Sequence, residues 1–311
     1  MKSNKKGFIP VMLTPYSSSG EIDYDGLTRI TEFYLESGSA GLFANCLSSE
    51  MYDLTPSERL SVTRHVVRTV NGRVPVVATG NFGRTIHEQA DFVNRMADTG
   101  VAAVIVVTGL LAEENEPDEV FMDNAFTLMR LTSGISVGFY ECPLPYKRIL
   151  KASQLKSLLE TNRVLYHKDT CLDIHQVREK IAVARGYDFA FYDAYLGHAV
   201  ESLMAGSDGL SCIQGNFFPE IIVWLCEHFD DPDFTAEVSA VQEFLIANMD
   251  VMHAVYPPIA KYYLQKRGMD ISLYCRSTRE VVDGNVRENI DKLFADCTKL
   301  HEDIGIRALS F

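Results

Sequence analysis

Short apolar runs rich in β-branched and aromatic residues alternate, almost from one end of the chain to the other, with stretches of helical periodicity. The runs predict strands at 8–14, 41–45, 74–79, 102–108, 136–141, 164–168, 189–193 and 209–213. Between them the periodicity predicts helices over 24–37, from Thr55 onward, and over 86–99, 117–132, 153–161, 173–184 and 197–205. Thr55-Pro56 with Glu58 reads as a capping box carrying proline in its first turn. The run 102–108 is apolar without alternation, the mark of a parallel strand buried on both faces. Repeated βα units imply a closed parallel barrel or a doubly wound sheet, and eight units favour a (β/α)8 TIM barrel, placed over residues 1–218. From Pro219 onward only helical patterns follow, predicting a C-terminal helical extension, 219–311, packed on the barrel.

Composition narrows the class. Of 311 residues 47% are hydrophobic and 23% charged, enough apolar material for a full core in one soluble chain. A net charge of −13 argues against a nucleic-acid partner, which needs a basic face. The longest apolar run, 101–107, is far below the ~18 residues of a membrane span. The lysines near the N-terminus precede a run too short for a signal peptide and broken by Pro10 and Pro15. Seven scattered cysteines fit a reduced, cytoplasmic protein better than a disulfide scaffold.

In such barrels chemistry gathers at the C-terminal ends of the strands, where Tyr140 and Lys168 close the fifth and sixth. Alternation puts Tyr166, Lys168 and Thr170 on one face of the sixth strand and His167 and Asp169 on the other. A lysine inside a barrel loses its charge to desolvation and becomes an amine able to attack a carbonyl, with a tyrosine beside it to move protons. A one-residue slip of register would turn Lys168 outward to snorkel, and alternation alone leaves both orientations open. Cys46, Cys142, Cys171 and Cys212 all fall at strand ends. Without Cys-x-x-Cys spacing they read as small packing residues, with a cysteine-based metal site the weaker alternative, and their position predicts sensitivity to thiol reagents. His167 reads as a core residue or one supporting the site from behind.

Several motifs decide the orientation. Gly7-Phe8-Ile9-Pro10-Val11 with Thr14-Pro15, Gly20-Glu21-Ile22-Asp23, Tyr140-Glu141-Cys142-Pro143, Lys168-Asp169, and Asp208-Gly209 with Gly215-Asn216 together resemble the dihydrodipicolinate synthase / N-acetylneuraminate lyase superfamily over nearly the whole chain. The resemblance implies that Lys168 is the Schiff-base nucleophile and Tyr140 the acid/base, with pyruvate or a related 2-oxo acid as partner. No cofactor is implied beyond the covalent imine, and no metal. Ser48, Ser49, Ser211, Ile213 and Asp193 are the expected substrate-binding positions, with Tyr195 and Gln214 near the same strand ends. The resemblance also implies a homodimer or homotetramer.

Departures from the family pattern refine the reading. The loop after the second strand, where the family carries two hydroxyls ahead of Gly-Glu, reads Cys46-Leu47-Ser48-Ser49-Glu50, and Leu47 cannot donate. The tyrosine lent by a neighbouring subunit falls at Thr108-Gly109-Leu110-Leu111, without a phenol. The arginine that grips the synthase's aldehyde substrate falls at Pro145, leaving Lys147 or Arg148 as substitutes. The expectation is therefore a class I lyase or aldolase, or a dehydratase, acting on a sugar-acid or hydroxy-oxo-acid. Dihydrodipicolinate synthase proper, and a barrel that binds a 2-oxo acid without turnover, are the alternatives.

Overall fold

The computed structural model describes residues 6–309. Eight parallel strands run β1 (Gly7–Phe8), β2 (Leu42–Asn45), β3 (Val76–Thr79), β4 (Ala103–Val107), β5 (Val137–Tyr140), β6 (Val164–Asp169), β7 (Ala190–Asp193) and β8 (Gly209–Leu210). From β2 to β8 each strand pairs with its sequence neighbour, and β1 pairs with β8. The remaining seam, between β1 and β2, is closed by a bridge from Val11 to Phe43, with Phe43 N–H donating to the Pro10 carbonyl at 3.0 Å and Met12 N–H to the Phe43 carbonyl at 3.1 Å. Pro10 has no N–H to give, so the strand expected over 8–14 pairs in two short pieces instead of one ladder.

The ring of helices follows as α1 (Tyr24–Glu36), α2 (Pro56–Val70), α3 (Ile86–Ala97), α4 (Asp118–Leu131), α5 (Ala152–Leu159), α6 (Ile174–Ala184), α7 (Ala199–Ala205) and α8 (Pro219–His228). Thr55 and Glu58 form the expected capping box, and Thr85 with Glu88 form a second one at the start of α3. Helix α8 packs against β1 and β8, in the eighth place of the ring. The boundary expected at 218 thus falls ahead of this helix. Helices α9 (Thr235–Ala247), α10 (Met249–His253), α11 (Pro258–Lys266) and α12 (Gly284–Asp303) complete the extension. Among the described residues no helix is long and apolar enough to cross a membrane.

Two features of the barrel interior position the site. The inner core includes Val11, Phe43, Ile105, Val107, Tyr140 and Tyr166. Gly138 makes room for it, because a Cβ there would stand 2.6 Å from Ile105 Cδ1 and 2.8 Å from Tyr166 Cβ. The ladder between β5 and β6 also pairs Tyr140 directly with Lys168. Alternation then sends both side chains to the same side.

Candidate active site

A cavity of about 710 Å³ opens at the C-terminal ends of the strands. Lys168, Tyr140, Ser48, Thr170, Ile213 and Gln214 contribute to its barrel wall. The opposite wall comes from the C-terminal extension, where Met249, His253 and Tyr256 line the same space.

Lys168 is 4% exposed and has no carboxylate partner among the described residues. Its Nζ lies 4.5 Å from the centre of the Tyr140 ring and 6.0 Å from that of Phe43. Desolvation holds the amine below the ordinary lysine value. Its ionisable neighbours are Cys46, Cys142 and Cys212, and burial pushes all three thiols up, Cys212 to about 12. At neutral pH they are uncharged S–H groups and cannot hold the amine in its ammonium form. Burial likewise raises the Tyr140 phenol well above its usual range, so it enters any reaction as a proton donor.

The same burial bears on the expected thiol sensitivity. Cys46, Cys142 and Cys212 are almost wholly covered, and half-buried Cys171 is also held far up, first by burial and then by Asp169. Thiol attack needs thiolate and access, and these cysteines offer little of either. A colorimetric thiol titration is expected to count close to none of the seven cysteines within minutes in the native protein, and all seven after denaturation. Rapid native labelling of Cys212 would show that the cavity is far more open than described.

Of the expected substrate positions, Ser48 and Ile213 line the cavity and three others do not. Ser49 Oγ donates to the Met12 carbonyl at 2.7 Å and accepts from Cys46 N–H at 3.1 Å, fixing the loop after β2. Ser211 Oγ donates to the Ile9 carbonyl at 2.8 Å, across the β8–β1 seam. Asp193 accepts from Tyr195 N–H at 2.9 Å and pairs with His198 Nε2 at 2.9 Å. In each case a neighbouring group already takes the polar atoms. Tyr195 and Gln214 do line the cavity, and the buried Gln214 Oε1 has no hydrogen-bond partner among the described residues.

The three departures fall as follows. Leu47 lines the cavity beside Ser48, while Leu111 is buried in the helix–sheet core. Arg148 turns away, donating to the carbonyls of Glu113 and Glu116 at 2.9 Å each and pairing with Asp118 at 3.1 Å. Lys147 lines the cavity, with Nζ donating to the Thr170 carbonyl at 3.0 Å.

Behind the two strands lies a wholly buried cluster of Glu141, His167 and Asp169. Its donor set would suit a cation, and one is already there. The ammonium of Lys180, from α6, lies 2.6 Å from Glu141 Oε1 and 2.5 Å from Asp169 Oδ2. Burial opposes charge on the His167 ring, but the Asp169 and Glu141 carboxylates outweigh it and hold its pKa above the usual value.

The profile of the Dihydrodipicolinate synthetase family matches residues 4–296. The chain belongs to this family. Its likeness to individual members is distant: it is 25% identical over 222 residues to the 4-hydroxy-tetrahydrodipicolinate synthase of Shewanella denitrificans, covering 71% of this chain and 74% of that one. Two solved structures superpose over most of their length. A prophage protein of the dihydrodipicolinic acid synthase family from E. coli K12, solved in complex with pyruvate, matches with a TM-score of 0.82 at 20% identity, covering 95% of this chain and 98% of that one. A Clostridium difficile protein named CdNal, solved in complex with mannosamine, matches with a TM-score of 0.82 at 16% identity, covering 94% and 98%. Family membership agrees with the motif reading.

The wall that sequence reasoning missed is the one from α10 and the turn after it. Tyr256, which precedes two prolines, carries no motif, and only the packed fold brings it over the barrel mouth.

Proposed function

We propose that the chain is a class I lyase that acts on pyruvate or a related 2-oxo acid through an imine on Lys168. The observation that carries this reading is the buried amine of Lys168, unpaired with any carboxylate among the described residues and beside a neutral phenol in an open cavity. Lys168 Nζ attacks C2 of the 2-oxo acid while Tyr140 protonates the carbonyl oxygen. The carbinolamine then loses its hydroxyl, with a proton, as water. In the resulting iminium the nitrogen accepts the electron pair of a bond to C3. Breaking C3–C4 releases an aldehyde, and breaking C3–H gives the enamine from which a C4 hydroxyl can leave. Cleavage, condensation and dehydration therefore share one intermediate, and the imine itself serves as the electron sink without a metal or organic cofactor.

The remote part of the cavity favours a hydroxylated substrate. Gln214 offers a buried acceptor and Tyr195 a phenol, both suited to hydroxyl groups, and Lys147 offers a point charge where a planar arginine clamp is missing. With Arg148 committed to carbonyls and Asp118, the geometry favours a sugar-acid or hydroxy-oxo-acid over the dihydrodipicolinate synthase reaction. The mannosamine and pyruvate complexes of the two related folds fit such a substrate at its two ends. The family also supports a homodimer or homotetramer.

The test is reductive trapping. Borohydride added with pyruvate should fix one pyruvate-sized adduct, which peptide mass spectrometry should map to Lys168. No adduct at saturating pyruvate, or one on another lysine, removes the imine reading. An adduct without turnover of any 2-oxo-acid substrate would favour a binding barrel.

A further inference from the structure

The cavity that holds Lys168 changes character between its floor and its mouth. At the floor Lys168 is 4% exposed and shares its register with Tyr140. Four residues beyond each of these two, Leu172 and Leu144 line the same cavity and are 53% and 49% exposed. Among the described residues neither belongs to a hydrophobic core cluster. Leu47, Ile213 and Met249, all half-buried, continue the apolar lining. Leu172 is also held at φ +63°, where its Cβ crowds the backbone and glycine or asparagine sits more easily. A large apolar side chain that is strained and in water gains nothing from the fold, and such a position points to a ligand. Two hydroxyls of this wall are already committed: Tyr52 donates to the Leu144 carbonyl at 2.8 Å, and Thr170 to the Glu141 carbonyl at 2.6 Å. The charged residues of the mouth, Asp53, Lys147, Asp250 and His253, are exposed, so they stay in water beside an apolar guest.

We propose that this rim is an apolar subsite, and that the substrate is a 4-hydroxy-2-oxo acid carrying a hydrocarbon group beyond C4 in place of a sugar's hydroxyls. The proposal rests on the Lys168 imine reading and narrows its substrate. The 2-oxo acid end occupies the floor, and a cavity of about 710 Å³ is of the size that holds a drug-sized ligand. The remaining space belongs to the group on C4, with Leu144 and Leu172 at its mouth. Gln214 and Tyr195 then serve the one hydroxyl on C4. Covering the rim leucines with a hydrocarbon removes apolar surface from water on both partners. A polyhydroxylated chain there would lose hydration without matching donors and acceptors.

The experiment supplies the full-length protein with pyruvate and a panel of aldehydes and reads kcat/KM for each aldehyde. In every condensation C3 of the Lys168 enamine attacks the aldehyde carbon and the C3–C4 bond forms. The aldehyde oxygen takes a proton to become the C4 hydroxyl, and water hydrolyses the imine to release the product. Straight-chain aldehydes from ethanal to hexanal should react faster with length, by up to about fourfold per methylene. 2-Methylbutanal should outpace glyceraldehyde, its isostere with hydroxyls in place of methyls, by about tenfold or more. In Leu144→Asn and in Leu172→Asn the hexanal-to-ethanal ratio should fall about fivefold or more. Both aldehydes meet the same enamine, so this ratio does not depend on how much protein is folded. Asparagine also tolerates a positive φ, so Leu172→Asn should melt no lower than wild type. A flat aldehyde series, glyceraldehyde at or above 2-methylbutanal, no condensation with any aldehyde, or a ratio unmoved in the variants overturns the proposal. If Leu172→Asn does not fold, Leu144→Asn and the wild-type series decide. A wild-type protein that traps no pyruvate with borohydride defeats the imine reading instead, so the two failures are distinguishable.

Discussion

Lys168→Met is expected to abolish pyruvate trapping, to lower turnover by at least about a thousandfold, and at the same time to raise the melting temperature near pH 7. The two effects have one cause. A nucleophilic amine must be deprotonated, and burial supplies that condition by penalising the ammonium form. The unfolded chain pays no such penalty, so it binds the proton more tightly than the folded one, and stability rises with pH up to the unfolded value near 10.4. Below that value the lysine destabilises the fold; above it the penalty vanishes. Methionine fills the same volume without the charge, so its gain in stability should be present at pH 7 and shrink to nothing as pH passes about 10.4. Imine formation in the wild type should carry the kinetic counterpart, with its acid limb displaced below the ordinary lysine range. The checks are thermal melts across pH and the trapping assay. A surviving adduct would move the chemistry to another amine, with Lys147 the candidate on the cavity wall. A lowered melting temperature would mean that the Lys168 side chain is stabilised in the fold after all.

What could be read from the sequence follows the range of each signal. Side-chain alternation acts over two residues, and it placed Lys168 with Tyr166 and Thr170 on one face of β6 and His167 with Asp169 on the other, as the structure has them. The juxtaposition of Tyr140 and Lys168 needed only parallel neighbouring strands. Family motifs carried the fold and the family itself. Ser49, Ser211 and Asp193 show where such reasoning stops. Each lies at a strand end with a suitable polar group, but backbone carbonyls of Met12 and Ile9, and the His198 ring, have claimed those groups. Sequence shows a hydroxyl without showing which acceptor takes it. Tyr256 marks the opposite failure. Its hydrogen-bond partner Asn216 is 40 residues away, and Asn216's own partner Tyr34 is 182 residues from Asn216, beyond any local pattern.

Lys180 is the second buried lysine near these strands, and its replacement should have the opposite effect on stability. Its ammonium lies between Glu141 and Asp169, both wholly buried, and no local pattern in α6 announces the pairing. Those carboxylates in turn hold the backbone beyond the reactive residues: Glu141 accepts from Leu150 N–H at 2.9 Å and Thr170 N–H at 2.8 Å, and Asp169 from Cys171 N–H at 2.9 Å. Lys180→Met leaves two buried carboxylates facing each other, with the His167 ring, 3.4 and 3.6 Å away, as the remaining basic side chain paired with them among the described residues. Removing one partner of a buried ion pair costs about 3–5 kcal/mol, or a fall of roughly 10 °C in melting temperature for a chain of this size. The pH dependence identifies the cause. In the wild type, burial raises the Asp169 pKa, but His167 and Lys180 outweigh it and hold it well below the usual range. Its contribution is therefore present above the unfolded value near 3.9 and lost as acid is added. Without Lys180 the two carboxylates repel, at least one titrates above its unfolded value, and protonation relieves the strain. The stability gap between wild type and Lys180→Met should accordingly be widest near neutrality and narrow as pH falls toward 4. A melting temperature unchanged by the substitution, or a gap that stays constant with pH, would show that Lys180 does not neutralise this cluster. Because Glu141 and Asp169 follow Tyr140 and Lys168 directly in the chain, the variant should also trap pyruvate more slowly even at temperatures where it remains folded.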